Sequence, residues 1–406
     1  HRREAGRTAY RLGSTVSDRV SGYYLDAAIG YCAAVLAGQI PACKWTKAAC
    51  RRQLDDLHAA EHDPTFPFEW RPDKAEHVCR FLELMPHIKG EWAGRPIALE
   101  AWQIFILTAV FGWYRKTGRR RFRTVYIEVP RKNAKSTLSS GVALYMLTAD
   151  AEPGAEIYSA ATTRDQARIV FDDARKMAAM EPGFRQRYGV HVLAHSIYEV
   201  LNGGKFAPLS AEGSTLDGLN IHFAVVDELH AHKTRAVYDV LETATGARAQ
   251  SLIWNITTAG SDRAGICYEQ RTYVTALLNT VLHRHDGLGY PIKGSRGEDD
   301  TYFGIIYTID DPDDWADESC RQKANPNYGV SIYPDDIRRL ADKAIKTASA
   351  RPNFLTKRLN VWVNAATAWM DMRRWDECAD PNLSPDQFID CKCVIALDLA
   401  SKKDIA

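Results

Sequence analysis

The stretch EVPRKNAKSTLSSG, residues 128–141, decides the fold. It overlaps TVYIEV, a β-branched run that reads as a strand over 124–129, and it opens STLSSGVALYMLTA, which reads as a helix. A turn between strand and helix is where a phosphate-binding loop sits. Its backbone N–H groups and the helix N-terminus face the phosphates, a lysine neutralises their β/γ charge, and a hydroxyl holds Mg2+. Lys135 and Ser136 stand in those last two places. Measured against G-x-x-x-x-G-K-[ST], however, Val129 occupies the first glycine position and Ala134 the last. A basic turn that only opens a helix is the competing reading of this segment taken alone.

A second segment bears on that choice. HFAVVDELH, residues 222–230, runs four apolar residues into Asp227-Glu228. A buried strand delivers such a pair to its carboxyl end, where ligands of open α/β sheets bind. Two adjacent acids there are costly unless they meet a cation or water. Asp227 is expected to hold Mg2+ and Glu228 to polarise a water that attacks a γ-phosphate; a helix cap is the plain alternative. Gln103 in LEAWQ has the donor and acceptor that match adenine, although a buried glutamine more often satisfies backbone. NITTAG, residues 255–260, ends a strand in Thr257 and Thr258, two hydroxyls placed to sense a γ-phosphate or simply to cap the strand.

Around these segments, strand-like AEIYSAAT, IHFAVVDE and SLIWNITTAG alternate with helical RDQARIVFDDARKMAAM and its neighbours. Near-continuous apolar strands between helices predict an α/β fold with a doubly wound, mainly parallel sheet. TYFGIIYTI is expected as an edge strand and RPNFLTKRLNVWV as a further helix. The expected organisation is a helical region over 1–98, of which 1–63 forms a lid or antechamber, a nucleotide-binding domain over 99–363, a linker over 364–390 and a new domain opening at 391. The chain begins at His1 and stops at Ala406 inside what reads as structure, as a fragment of a longer chain would.

Composition narrows the function classes. A formal charge of +1 gives no global field for nucleic acid, so any such surface depends on local clustering. The basic run RKTGRRRFR, residues 115–123, is one cluster able to grip phosphates without reading sequence; a solvated hairpin is its alternative. Nine cysteines without a CxxC pair point to reduced thiols. No apolar run approaches the roughly 20 residues of a membrane helix.

The segments GEWAGRPIALEAWQ, RRFRTVYIEVPRKNAKST, AEIYSAATTRDQARIVFDDA, SAEGSTLDGLNIHFAVVDELHAH and ITTAG together resemble, in order and across almost the whole chain, the large terminase subunit of tailed bacteriophages. That family tolerates a loop of the form P-R-K-N-G/A-K-S/T, which decides the opening question for the phosphate cradle. The resemblance implies a P-loop ATPase that drives double-stranded DNA through a portal protein into a procapsid, coupled to an endonuclease that cuts concatemers. It implies ATP and Mg2+ at the motor, Mg2+ or Mn2+ at the nuclease, a small terminase subunit and a homo-oligomeric ring as partners, and work in the host cytoplasm at the portal. Another P-loop translocase or helicase is the alternative.

Carried over by position, the resemblance gives Arg131, Lys132, Asn133, Ala134, Lys135, Ser136 and Thr137 as the loop and Gln103 for adenine. Ser136 and Asp227 would hold Mg2+, Glu228 would be the catalytic carboxylate, and Thr257-Thr258 the coupling motif. Arg131 is the candidate for stabilising γ-phosphate charge within the chain. An arginine given by a neighbouring subunit has no clear position: Asp217 stands where some relatives place it, and Arg235 and Arg248 are the other candidates. In VIALDLASKKD, Asp398 matches the first metal-binding aspartate of a ribonuclease-H-like nuclease, with Asp404 a weaker second acid.

Overall fold

The computed structural model describes residues 21–210, 218–283, 299–311 and 313–363, with short pieces between 378 and 392. Three helices come first, α1 (Tyr23–Leu36), α2 (Lys44–His62) and α3 (Pro72–Leu84), with strand β1 (Phe68–Trp70) before the third. Helix α4 (Ala101–Gly112) is buried nearly all round, as its unbroken apolar sequence requires. Strand β2 (Trp113–Arg115) then pairs with β1.

Strand β3 (Thr124–Glu128) leads into α5 (Lys135–Thr148), and β4 (Glu156–Ala161) into α6 (Arg164–Met180). Helix α7 (Pro182–Tyr188) precedes β5 (Val190–Val192), β6 (Ile197–Glu199), β7 (Gly204–Ser210) and β8 (Ile221–Asp227). Helix α8 (Ala236–Ala244), β9 (Leu252–Thr257), α9 (Ile266–His283) and β10 (Tyr302–Ile306) follow. The compact unit closes with α10 (Glu318–Ala324), α11 (Pro334–Lys346) and α12 (Arg351–Arg358).

Eight strands form one sheet in the order β10-β3-β9-β8-β4-β7-β6-β5. The first six run parallel, and β6 and β5 turn back as an antiparallel hairpin. All seven residues of β8 are buried, as expected of a central parallel strand covered on both faces. TYFGIIYTI is the edge strand β10, whereas RPNFLTKRLNVWV is helical only to Arg358 and continues as an irregular strap to Val363.

Helices α1 and α2 are not a separate lid. They pack on α4, α9 and β10 and share the main hydrophobic core. Chain contacts define one compact unit over 1–366 and a second over 367–406. Asp217, Asp398 and Asp404 lie outside the described residues.

Candidate nucleotide-hydrolysis site

The site forms where β3, β9 and β8 end side by side. Across the ladder Glu128 pairs with Thr257 and Ile256 with Asp227, so the three strands stop in register. With strands about 4.8 Å apart, β3 and β8 lie about 10 Å from each other, with β9 between them. The loop after β3 and the acids ending β8 therefore flank the threonines that close β9.

The loop makes its cradle without glycine. Val129 remains strand-like, its N–H donating to Thr257 O at 3.0 Å. Lys132 (φ 73°) and Ala134 (φ 55°) take the left-handed conformation on either side of Asn133. That alternation turns successive N–H groups toward one concavity. Among the described residues, nothing accepts from the N–H groups of Lys132, Asn133 or Ala134, and the first bond of α5 is Leu138 N–H to Ala134 O. The result is a ring of donors at a helix N-terminus, a setting for phosphate.

Asn133 serves the loop rather than the concavity. Its side chain is fully buried, with Nδ2 donating to Pro130 O and Asn325 Oδ1 while Oδ1 accepts from Asn327 N–H. Lys135 Nζ lies against the carbonyls of Val129 and Pro130 at 3.3 and 3.5 Å. Burial lowers the Lys135 pKa, while the charges of Glu228 and Asp227 support its ammonium, which places it in the field of both acids. Ser136 and Thr137 are half-buried, and no hydrogen bond among the described residues engages their hydroxyls. Arg131 is exposed; its N–H donates to Lys357 O at 3.1 Å, and its charge reaches Lys135 and Glu228.

The two acids differ sharply. Burial and the neighbouring Glu228 push Asp227 up to about 7. Its Oδ1 accepts the Glu228 N–H at 2.9 Å. Burial opposes ionisation of Glu228 too, but a hydrogen bond from His230 and the charges of Lys135 and Arg131 outweigh it and bring Glu228 down to about 2. Asp227 is thus a buried carboxyl in want of a cation, and Glu228 is already ionised. Among the described residues no three His, Cys, Asp or Glu side chains converge on a metal site. Mg2+ needs no such cage, because it binds through one or two protein ligands plus phosphates and water. A free hydroxyl at Ser136 and a buried Asp227 carboxyl whose ionised form lacks compensation fit that ion.

Of the two threonines at the end of β9, one touches the acid and the other its neighbour His230. Thr258 Oγ1 donates to Glu228 Oε2 at 3.5 Å, and Thr257 Oγ1 accepts from the His230 N–H at 3.1 Å. Gly260 is needed for close packing: a Cβ there would lie 3.1 Å from His230 Cβ and 3.3 Å from the Trp362 ring. Sequence reasoning missed His230, Lys357 and Asn360. His230, two residues after Glu228, offered a local signal; the other two become neighbours only through the fold.

Several other candidates already have partners in the fold. Gln103 caps α4, with Oε1 accepting from Glu100 N–H at 2.9 Å, as a buried glutamine satisfying backbone does. Arg248 is bound to Glu152 and to the carbonyls of Pro153, Gly154 and Asn220, at the strand ends away from the loop. Arg235 pairs with Glu269 and Asp239. The basic run is also largely structural. Arg120 is buried on Asp150, Arg121 is buried between Asp56 and Asp300, and Arg123 donates to the carbonyls of Arg248, Ala249 and Ser251.

Comparison with known proteins agrees with this arrangement. A model of the terminase large subunit ATPase domain matches residues 101–276, and a model of the terminase large subunit endonuclease domain matches 296–406. Protein YmfN of Escherichia coli K12 is 41% identical over 189 residues, covering 47% of this chain and 38% of that protein. The large terminase subunit of Enterobacteria phage HK97 is 25% identical over 341 residues, covering 82% of this chain and 61% of that protein. The crystal structure of the HK97 large terminase shares the fold, with a TM-score of 0.60 at 24% identity over 75% of this chain and 58% of that one. The chain thus spans less than two thirds of the length of either relative. Two adjoining models of one protein family, matched in order along the chain, and a sheet that brings Lys135 to Asp227 and Glu228 lead to one conclusion: the chain belongs to the terminase large subunit family.

Proposed function

We propose that this chain contains the ATP-hydrolysing engine of a motor that packs double-stranded viral DNA, and the beginning of its endonuclease. One observation supports the reading above the rest: the Lys135 ammonium, after β3, lies in the field of Asp227 and Glu228 at the end of β8, beside a concavity of free N–H groups.

In this reading the N–H groups of residues 132–136 hold the β- and γ-phosphates. Lys135 leaves the carbonyls of Val129 and Pro130 for the phosphate oxygens, and Arg131 swings over the γ-phosphate. Ser136 and Asp227 would hold Mg2+, which supplies charge neutralisation at the phosphates. Glu228, ionised at any physiological pH, orients the attacking water. Gln103 Nε2 is free of bonds among the described residues and is assigned to the adenine. A cavity of about 350 Å3, lined by Leu99, Trp102, Tyr307, Asn325 and Tyr328, opens beside the same turn of α4 for the base. Thr258, bonded to Glu228, registers loss of the γ-phosphate and transmits it through Ala259 to Asn360.

Asp398 is assigned to the endonuclease metal, Mg2+ or Mn2+. The partners in this reading are the portal protein, a small terminase subunit and further copies of the chain in a ring on the procapsid, in the host cytoplasm. No described helix is long and apolar enough to cross a membrane.

The test is ATP turnover by Glu228→Ala. Hydrolysis is expected to fall by about a hundredfold or more while ATP binding persists. Turnover equal to the unaltered chain would remove the engine from this site.

A further inference from the structure

Two ionisable side chains beside Glu228 have no part in the cycle above. His230 lies in the short helical turn Leu229–Ala231. Its Nδ1 is 3.1 Å from Glu228 Oε2 and 3.2 and 3.4 Å from the Thr257 and Thr258 hydroxyls. Its Nε2 is 3.0 Å from Lys357 Nζ. An ammonium has three donors and no acceptor, so at that distance Nε2 accepts. The ring proton then sits on Nδ1 and points toward Glu228 and the two threonines.

Lys357 grips the site twice. Its side chain holds His230, and its carbonyl accepts the Arg131 N–H of the phosphate loop. It stands in the last turn of α12, outside the residues matched by the ATPase-domain model and inside those matched by the endonuclease-domain model. Three residues later Asn360 accepts the Ala259 N–H at 2.6 Å and donates to Tyr307 O at 2.8 Å. The helix that carries Lys357 is therefore seated by the ends of β9 and β10.

We propose that Lys357 is a positioning residue for hydrolysis: by donating to His230 Nε2 it fixes the ring tautomer that holds Glu228, so the site is complete only while α12 is seated on it. The proposal rests on the reading of Glu228 as the hydrolytic carboxylate. It differs from a phosphate-binding role for Lys357, which would change affinity for ATP rather than turnover.

The experiment follows ATP turnover and the 15N signals of the imidazole rings in the whole 406-residue chain, with His230 assigned through His230→Gln. In the unaltered chain His230 is expected as the Nδ1–H tautomer; an Nε2–H ring there overturns the proposal whatever the variants do. Lys357→Met keeps the aliphatic stem and removes the donor. Its kcat is expected to fall about tenfold or more with KM for ATP within about twofold, and the His230 signals to shift toward Nε2–H. Lys357→Arg, which restores a donor, should recover most of the turnover. Lys357→Met should cost nothing further in the His230→Gln background. Unchanged turnover in Lys357→Met, or a raised KM with unchanged kcat, overturns the proposal. Glu228→Ala is assayed alongside: if it is inactive while Lys357→Met is fully active, only the positioning role fails. If Glu228→Ala is itself active, the site reading fails and this proposal with it.

Discussion

Ala134, at φ 55°, stands where a phosphate loop ordinarily has glycine, and the left-handed conformation there costs an L-residue about 1 kcal/mol. Ala134→Gly is therefore expected to keep ATP turnover and to leave stability within about 1 kcal/mol of the original, read by urea unfolding. Ala134→Val, with a branched side chain in the same conformation, should lose more than that and weaken ATP binding. Lys135, Ser136, Asp227 and Glu228 were legible in the sequence because strand-then-lysine and apolar-run-then-acids are local patterns. The missing glycines misled only in part: Val129 needs no special conformation, while Lys132, read in sequence only as a loop residue, does. Gln103 was legible as a helix cap and as a base contact alike, and its bond to Glu100 shows the first.

Among the elements, the strap after α12 joins what sequence reading kept apart. Asn360, itself at φ 59°, ties Ala259, Tyr307 and buried Glu128 together. Asn360→Gly keeps the backbone freedom and removes all three bonds, so it is expected to cost about 2–4 kcal/mol of unfolding free energy in urea. The basic run behaves oppositely at its two ends. Changing Arg115 or Arg119 to Ala should leave the melting temperature nearly unmoved.

Within the run's buried half, Arg120 depends on Asp150. Asp150→Asn strands the Arg120 charge, and a loss of about 3–5 kcal/mol is expected. Burial alone would raise Asp150, but Arg120 and His222 outweigh it and hold the carboxyl below its ordinary 3.8. A depressed carboxyl stabilises the fold above its unfolded pKa, and that contribution is lost as pH falls through the lower folded value. Acid unfolding curves should accordingly be shallower below about pH 4 in Asp150→Asn. Sequence could show the cluster of charge but not its fate, since Asp56, Asp150 and Asp300 reach it from elements far along the chain.

At the scale of the molecule, the order β3-β9-β8 is what gathers separate motifs into one candidate site, and that order is not written in any one segment. Alternating strands and helices predicted the parallel sheet; they gave no hint of the β5–β6 hairpin or of α1 and α2 joining the core. The endonuclease-domain match begins at residue 296, yet within it β10 pairs with β3 at the edge of the sheet and α12 accepts the Arg131 N–H of the loop. A chain cut at residue 276 would bare β3 as an edge and is expected to aggregate, whereas one ending at 363 should stay soluble and bind ATP. Purified procapsids separate the functional readings: ATP-dependent protection of DNA from added nuclease is expected, and strand separation on a forked duplex would favour a helicase instead.

The central claim is that the groups at 135, 227 and 228 meet on one triphosphate. It is tested most directly by a crystal structure of the chain with Mg2+ and a non-hydrolysable ATP analogue. The expected density has the γ-phosphate against Lys135 Nζ and the loop N–H groups, the ion on Ser136 and Asp227, and Glu228 facing the phosphorus. Nucleotide bound elsewhere, with Lys135 still against the carbonyls of Val129 and Pro130, would contradict it.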